Sequence, residues 1–325
     1  MSNIQTDHGI VAEQSRLLHF PVSFFSIVMG LSGVTLAWKA AGQPTPAAIP
    51  FMLMLFTSLV MVVITSFYAV KLLRYPSAVL DELRHPVRLN FFPAFSISLL
   101  LLSVAWQDYS QISFGLWLCG AVIQFCLTLY VMSSWIHHSH YTLSHANPSW
   151  FIPVVGNIIV PITGSHFAYT EVSWFFFSIG LVFWLVLLTI VLYRLFFHEP
   201  LPARLTPMLF ILLAPPSVGF VSYSGLVGGL DNFGRVLYYI ALFLSLLLFS
   251  NVLRFIRLPF FLSSWAYSFP VAALTIATKK MFMFTALPLF NVLFMALISI
   301  LSLLVLWLVV RTCKAVIAGE LCRPE

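Results

Sequence analysis

FTALPLFNVLFMALISILSLLVLWLVV, residues 284–310, runs for 27 positions without one charged side chain. At about 1.5 Å of rise per residue the run makes a helix of about 40 Å, longer than the ~30 Å hydrocarbon core of a bilayer. It reads as a transmembrane helix. Working back toward the N-terminus, comparable apolar stretches recur at Phe20–Trp38, Ile49–Val70, Pro86–Trp106, Ile112–Trp135, Trp150–Phe167, Val172–Phe197, Leu205–Val227, Val236–Leu253 and Phe260–Thr278, making ten with the first. The connections between them are short and leave no room for a folded domain outside the membrane.

Composition agrees. Of 325 residues, 61% are hydrophobic, 16% aromatic and 8% charged, against about 25% charge in a soluble domain. A soluble globule, a collagen-like chain, a disulfide scaffold and a disordered chain are all excluded by these values. The expected fold is an all-α polytopic membrane protein: a tail at 1–18, ten helices over 19–310 and a second tail at 311–325. Residues 1–18 do not resemble a signal peptide, because the apolar run that follows is too long and no A-x-A site follows. Cys119 and Cys126 lie about 10 Å apart along one helix, too far to bridge, and all four cysteines are expected to pack rather than pair.

The net charge of +6 is read as loop bias in a membrane protein, not as affinity for nucleic acid. With the N-terminus inside, cytoplasmic segments hold twelve basic residues: Arg16, Lys71, Arg74, Arg84, Arg88, Arg194, Arg204, Arg254, Arg257, Arg311, Lys314 and Arg323. The opposite side holds four, Lys39, Arg235, Lys279 and Lys280. Both termini are therefore expected in the cytoplasm.

Prolines add a second pattern. They fall in the odd-numbered spans, at Pro21, Pro93, Pro153, Pro161, Pro207, Pro215, Pro216 and Pro270, while spans two, four, six and eight have none in their interiors. Their surroundings recur: FFPAF (91–95), FIPVVG (151–156), LAPPSVG (213–219) and YSFPVA (267–272) start 60, 62 and 54 residues apart, one helical hairpin each. An interior proline kinks a helix, and the carbonyl it frees needs protein or water around it. The pattern predicts five hairpins, with odd helices inner and kinked and even helices facing lipid.

All 26 charged residues fall in loops or at span ends. No intramembrane acid relay or arginine ladder is visible, which argues against a proton-coupled pump or voltage sensor. No span supplies the paired groups a membrane hydrolase needs, and an enzyme is not expected. What remains is a path lined by small, aromatic and backbone groups. Gly30, Ser32, Gly33, Gly156, Asn157, Gly164, Ser217 and Gly219 suit either a lumen or close helix packing. Phe269, before Pro270, is a candidate plug. His137, His138, His140 and His145 form a loop cluster, read as solvated, with a pH-sensitive element or a metal site as alternatives; no cofactor or metal is assigned.

In these residues the chain resembles the slow-type anion channel and tellurite-resistance (TehA) family. The likeness covers nearly all of 19–310: FFSIVMGLS (24–32), LAWK (36–39), RHPVRLNFF (84–92), NPSW (147–150), VVGN (154–157), LPARLTP (201–207), APPS (214–217), WAYSFP (265–270) and TIAT (275–278) occur in order. The resemblance implies ten helices as five hairpins around a quasi-five-fold pore, a homotrimer, and passage of small anions such as chloride and nitrate across a bacterial inner membrane. It also implies a gate at Phe269 and a first-helix pore stretch with Phe25, Ser26 and Met29 near the lumen. Gly30, Pro93, Asn157, Pro161, Pro215 and Pro270 complete the expected lining, and Lys39, Arg88, Arg254, Lys279 and Lys280 are the expected basic residues at its mouths. Transport of C4-dicarboxylates, sulfite or tellurite-type oxyanions is the alternative within the same resemblance.

Overall fold

The computed structural model describes residues 16–43, 45–138 and 141–322, and every regular element among them is helical. His140, Arg323 and most of the expected N-terminal tail lie outside the described residues. The α-helices are α1 (Phe25–Ala41), α2 (Ala48–Arg74), α3 (Pro76–Arg84), α4 (Pro93–Ala105), α5 (Ser110–His137), α6 (Phe151–His166), α7 (Thr170–Phe197), α8 (Ala214–Leu226), α9 (Asn232–Phe249), α10 (Val252–Ile256), α11 (Ser268–Thr285) and α12 (Pro288–Ile317). Ten match the apolar stretches. The short α3 and α10 lie where the sequence suggested loops, and α12 runs on past Val310. Eight segments, containing α1, α2, α4, α5, α7, α8, α9 and α12, are long and apolar enough to cross a membrane. Helix α6, with 16 residues, and α11, which carries Lys279 and Lys280, are not among the eight.

Burial divides the helices into two sets. The spans containing α1, α4 and α8 are 67%, 72% and 72% buried, whereas those of α2, α5, α7, α9 and α12 are between 22% and 39% buried. Helix α1 packs against α4 and α11, α4 against α6, α6 against α8, and α8 against α11, so these contacts close a ring. Each less-buried helix leans on its sequence neighbour in that ring: α2 on α1, α5 on α4, α7 on α6, α9 on α8 and α12 on α11. Their other faces carry exposed Leu59, Val62, Phe243, Leu303 and Leu306. Such a surface is a liability in water and is the proper contact for acyl chains.

The prolines require a correction. The sequence pattern puts them in the odd-numbered spans, with Pro21 near the start of the first, and implies kinks, yet among them only Pro161 lies past the first turn of an α-helix. Pro93 opens α4, Pro215 and Pro216 stand in the first turn of α8, and Pro153 and Pro270 are third in α6 and α11. Each ring helix is preceded by a 3-10 turn: Val22–Phe24, Arg88–Phe91, Pro148–Trp150, Thr206–Leu213 and Leu262–Tyr267. The first turn of a helix has amide groups with no partner inside it, so proline forfeits little there and its fixed φ suits the start. The repeated feature is thus a 3-10-to-α junction lying within the apolar span, as at Pro215 in Thr206–Leu226, and not a break inside one continuous α-helix.

Some of the charges that stand in loops or at span ends are buried. Lys71, in the last turn of α2, and Glu82, in α3, are 1% and 5% exposed at their side chains and form an ion pair at 3.0 Å. Lys71 Nζ also donates to the Phe20 carbonyl at 2.9 Å, and the Tyr68 hydroxyl donates to Glu82 at 2.8 Å. Arg194, in the last turn of α7, is 6% exposed. The cysteines are unpaired, but Cys119, Cys126 and Cys313 lie on exposed surface instead of in packed contacts.

Candidate functional site

The first residues of all five ring helices meet at one apolar cavity of about 50 Å³. Ser26 and Met29 come from α1, Phe91 and Ile97 from the second junction, and Ile152, Val155, Gly156 and Ile159 from α6. Ile211 and Ala214 come from the fourth junction, and Trp265, Ala266, Phe269 and Pro270 from the fifth. Phe269 is second in α11 and 9% exposed. Its ring lies 3.7 Å from where a Cβ on Gly33 would stand.

Of the residues expected on a lumen, Ser26, Met29, Phe269 and Pro270 line this cavity. Phe25 instead stacks edge-on against Phe95 and Tyr68. Gly30 and Gly33 are where α1 and the α11 region touch. A Cβ on Gly30 would fall 2.8 Å from the Trp265 ring, and one on Gly33 2.7 Å from the Ala272 methyl, so both serve close packing. Pro93, Pro161 and Pro215 are buried in helix contacts, and Asn157 turns toward α5.

A buried polar network, of which the sequence pointed to Asn157 alone, ties α6 to α5 and α4. Gln124 of α5 donates to the Pro153 carbonyl at 2.8 Å, accepts from Ser96 of α4 at 2.8 Å, and is wholly buried. Thr128, one turn on, donates to the same carbonyl at 2.8 Å and accepts from Asn157 at 2.9 Å. The available signal was polar residues at i and i+4 in an otherwise apolar helix.

The basic residues divide. Lys39 pairs with Asp108 at 2.7 Å and lines a second, roomier cavity of about 630 Å³ beside Thr35, Trp38 and Tyr109. Lys279 lies over the Phe282 and Phe294 rings, 5.4 and 5.0 Å from their centroids. Lys280 donates to the Val221 carbonyl and to Ser224, each at 3.1 Å. Arg88 is half-buried in the second 3-10 turn, and Arg254 is exposed on α10. His137 and His138 reach back to the Ser133 and Ser134 carbonyls, and His145 contacts Thr142. Among the described residues no group of three or more His, Cys, Asp or Glu is placed to hold a metal.

Comparison with known proteins gives this ring a context. The sequence model of the SLAC1 family, described as voltage-dependent anion channel, matches residues 19–313. The chain is 31% identical over 306 residues to the S-type anion channel SLAH3 of Arabidopsis thaliana, covering 91% of this chain and 48% of the plant protein. It thus spans about half the length of that relative. An uncharacterized transporter of Methanocaldococcus jannaschii is 27% identical over 96% of this chain and 99% of its own. A tellurite resistance protein TehA homolog of Haemophilus influenzae is 24% identical, over 78% and 79%. The chain belongs to the SLAC1 family of voltage-dependent anion channels.

Proposed function

We propose that the chain is a gated channel for small inorganic anions such as chloride and nitrate, closed at rest by Phe269. The observation that carries this reading is the small apolar cavity at which five helix starts converge with Phe269 in its wall. An apolar constriction gives an anion no replacement for its hydration shell and blocks by sterics and dewetting. Around it, each helix start contributes a positive dipole end of roughly half a charge, and helix starts favour anions. Ten helices as five hairpins, with passage through the ring, a homotrimer in a bacterial inner membrane and both termini cytoplasmic complete the reading. No catalytic step is assigned. Its support is the ring of contacts, the burial pattern, the basic-residue bias and the anion-channel relatives.

Phe269→Ala, recorded in planar bilayers, is expected to raise anion conductance, with reversal potentials that follow the anion gradient. A variant that folds and conducts no better than the parent overturns the gate. Saturable flux coupled to protons or a counter-anion would instead favour the alternative, a transporter of C4-dicarboxylates, sulfite or tellurite-type oxyanions, of which the name of the tellurite resistance relative touches the last.

A further inference from the structure

We propose that the buried guanidinium of Arg194 is a binding site for a phosphate group on the flank of the ring, separate from the central cavity. Arg194 is 6% exposed, and neither its Nε nor its Nη1 has a hydrogen-bond partner among the described residues. Arginine stays protonated in any protein setting, so this is a buried cation without a counter-charge. The two ion pairs among the described residues are Lys39–Asp108 and Lys71–Glu82, and Glu199, the acid nearest in sequence to Arg194, is exposed beyond the end of α7.

The surroundings favour an acceptor-rich ligand. Helices α6 and α7 pack antiparallel, Gly164 against Ser173 and Ile158 against Gly180. Continuing that register puts Arg194 beside the segment that leads into α6. Trp150, at the start of that ring helix and about two turns from the level of Arg194 in the same register, is stacked on Trp135 of α5 at 4.9 Å, and neither indole N–H, both buried, has a partner among the described residues. The unmatched guanidinium and indole atoms are donors, and the one unmatched acceptor near Trp150 among the described residues is Oδ1 of Asn90, whose amide donates to Ser149 at 3.4 Å. Nε and Nη1 together hold three N–H groups, more than a single acceptor atom can meet. A tetrahedral oxyanion has several acceptors, and guanidinium is well suited to phosphate. Arg194 does not line the central cavity, which separates this site from the permeation path. Tyr193, Phe196 and Phe197, 51%, 69% and 71% exposed, lie in the same final turn. That places the site at the aromatic depth of lipid headgroups.

The test uses the purified full chain, stripped of lipid in phosphate-free detergent at constant ionic strength set by chloride. Inorganic phosphate is titrated in one arm and phosphatidylglycerol in the other, with the thermal unfolding midpoint and native mass spectrometry as readouts. The parent is expected to gain several degrees, or a retained adduct, in at least one arm, and Arg194→Met to lose that gain. A response to inorganic phosphate assigns a free anion; a response to phosphatidylglycerol alone assigns a headgroup. Should Arg194→Met fail to fold, Arg194→Lys carries the comparison: a weakened response supports the site, and a response equal to the parent's overturns it. Equal responses of parent and Arg194→Met, or none in either arm, also overturn it.

Discussion

Removing Glu82 tests whether α3 is anchored, through Lys71, to the segment that leads into α1. Lys71 and Glu82 sit 3.0 Å apart with side chains 1% and 5% exposed. At that distance and an effective dielectric of about 20, their attraction is about 5 kcal/mol, most of it offset by the desolvation of both ions. Glu82→Ala removes the attraction and keeps the desolvation of Lys71, and losing one partner of a buried pair costs about 3–5 kcal/mol. Lys71 retains the Phe20 carbonyl and the Tyr68 ring, 5.7 Å from Nζ, so the expected loss is near the lower end, about 3 kcal/mol. Lys71→Met should cost a similar amount, by stranding Glu82 with only Tyr68 as donor. The double variant Lys71→Met/Glu82→Leu should return to within about 1 kcal/mol of the parent, because it strands no charge. Equilibrium unfolding in mixed micelles, run as a double-mutant cycle, measures all three. Single variants within about 0.5 kcal/mol of the parent would show that water reaches the pair, and the burial argument would fail. Phe20 immediately precedes Pro21 and the turn leading to Ser26, so both single variants should also change the current carried by Phe269→Ala.

Three further outcomes are expected. Gln124→Leu removes the side chain that joins Ser96 to the Pro153 carbonyl; stranding buried polar groups costs about 1–3 kcal/mol, read in the same unfolding assay. Gly33→Val pushes a side chain at Ala272, 2.7 Å from the new Cβ, and overpacking of this kind costs about 1–3 kcal/mol, visible as a lower unfolding midpoint and reduced folded yield. Asp231 caps α9 by accepting from the Gly234 amide at 2.8 Å, and this bond, followed by that from the Tyr223 hydroxyl, holds its carboxyl below the usual value. A depressed carboxyl stabilises the fold above its unfolded pKa and loses that contribution as pH falls through the folded one. Asp231→Asn should therefore flatten the melting-midpoint profile below about pH 4 while leaving its shape near neutrality unchanged.

A repeat along the chain was legible because proline marks it at nearly equal intervals, and the 3-10 segments follow the same marks, but the conformation at each mark was not legible. Proline's ring fixes φ and removes an N–H, and both facts fit a helix start as well as a helix interior. The residues that decide between them are apolar ones such as Phe24, Phe91 and Trp265, whose side chains look alike in a 3-10 turn and an α turn. The central cavity was legible in part. Ser26, Met29 and Phe269 could be placed on it, whereas the wall supplied by Ile152, Val155 and Ile159 has no signature distinct from ordinary core. The buried charges carried a readable signal that charge counting passed over. Lys71 continues the buried row Met54, Thr57, Met61, Ile64 of α2, and Arg194 continues Ser173, Phe177, Gly180, Trp184, Leu187, Val191 of α7. Helical periodicity placed both on inward faces. Position at a span end said only that they were near water.

The fate of each basic group bears on what attracts an anion to the ring. Lys39 is met by Asp108, Lys71 by Glu82, and Lys280 by a carbonyl and a hydroxyl, while Lys279 rests on two aromatic rings. None of these four lines the apolar cavity. Of the five expected at the pore mouths, only Arg88 stands on a 3-10 turn that opens directly into the ring. Near Phe269 the proposed source of positive potential is therefore the backbone, in the convergence of five helix starts. A dipole of that kind raises anion occupancy without offering a discrete ligand, so an ion drawn in has nothing on which to stall. On the proposed reading, that division, backbone for attraction and an aromatic ring for closure, would let a chain with 8% charged residues serve anions.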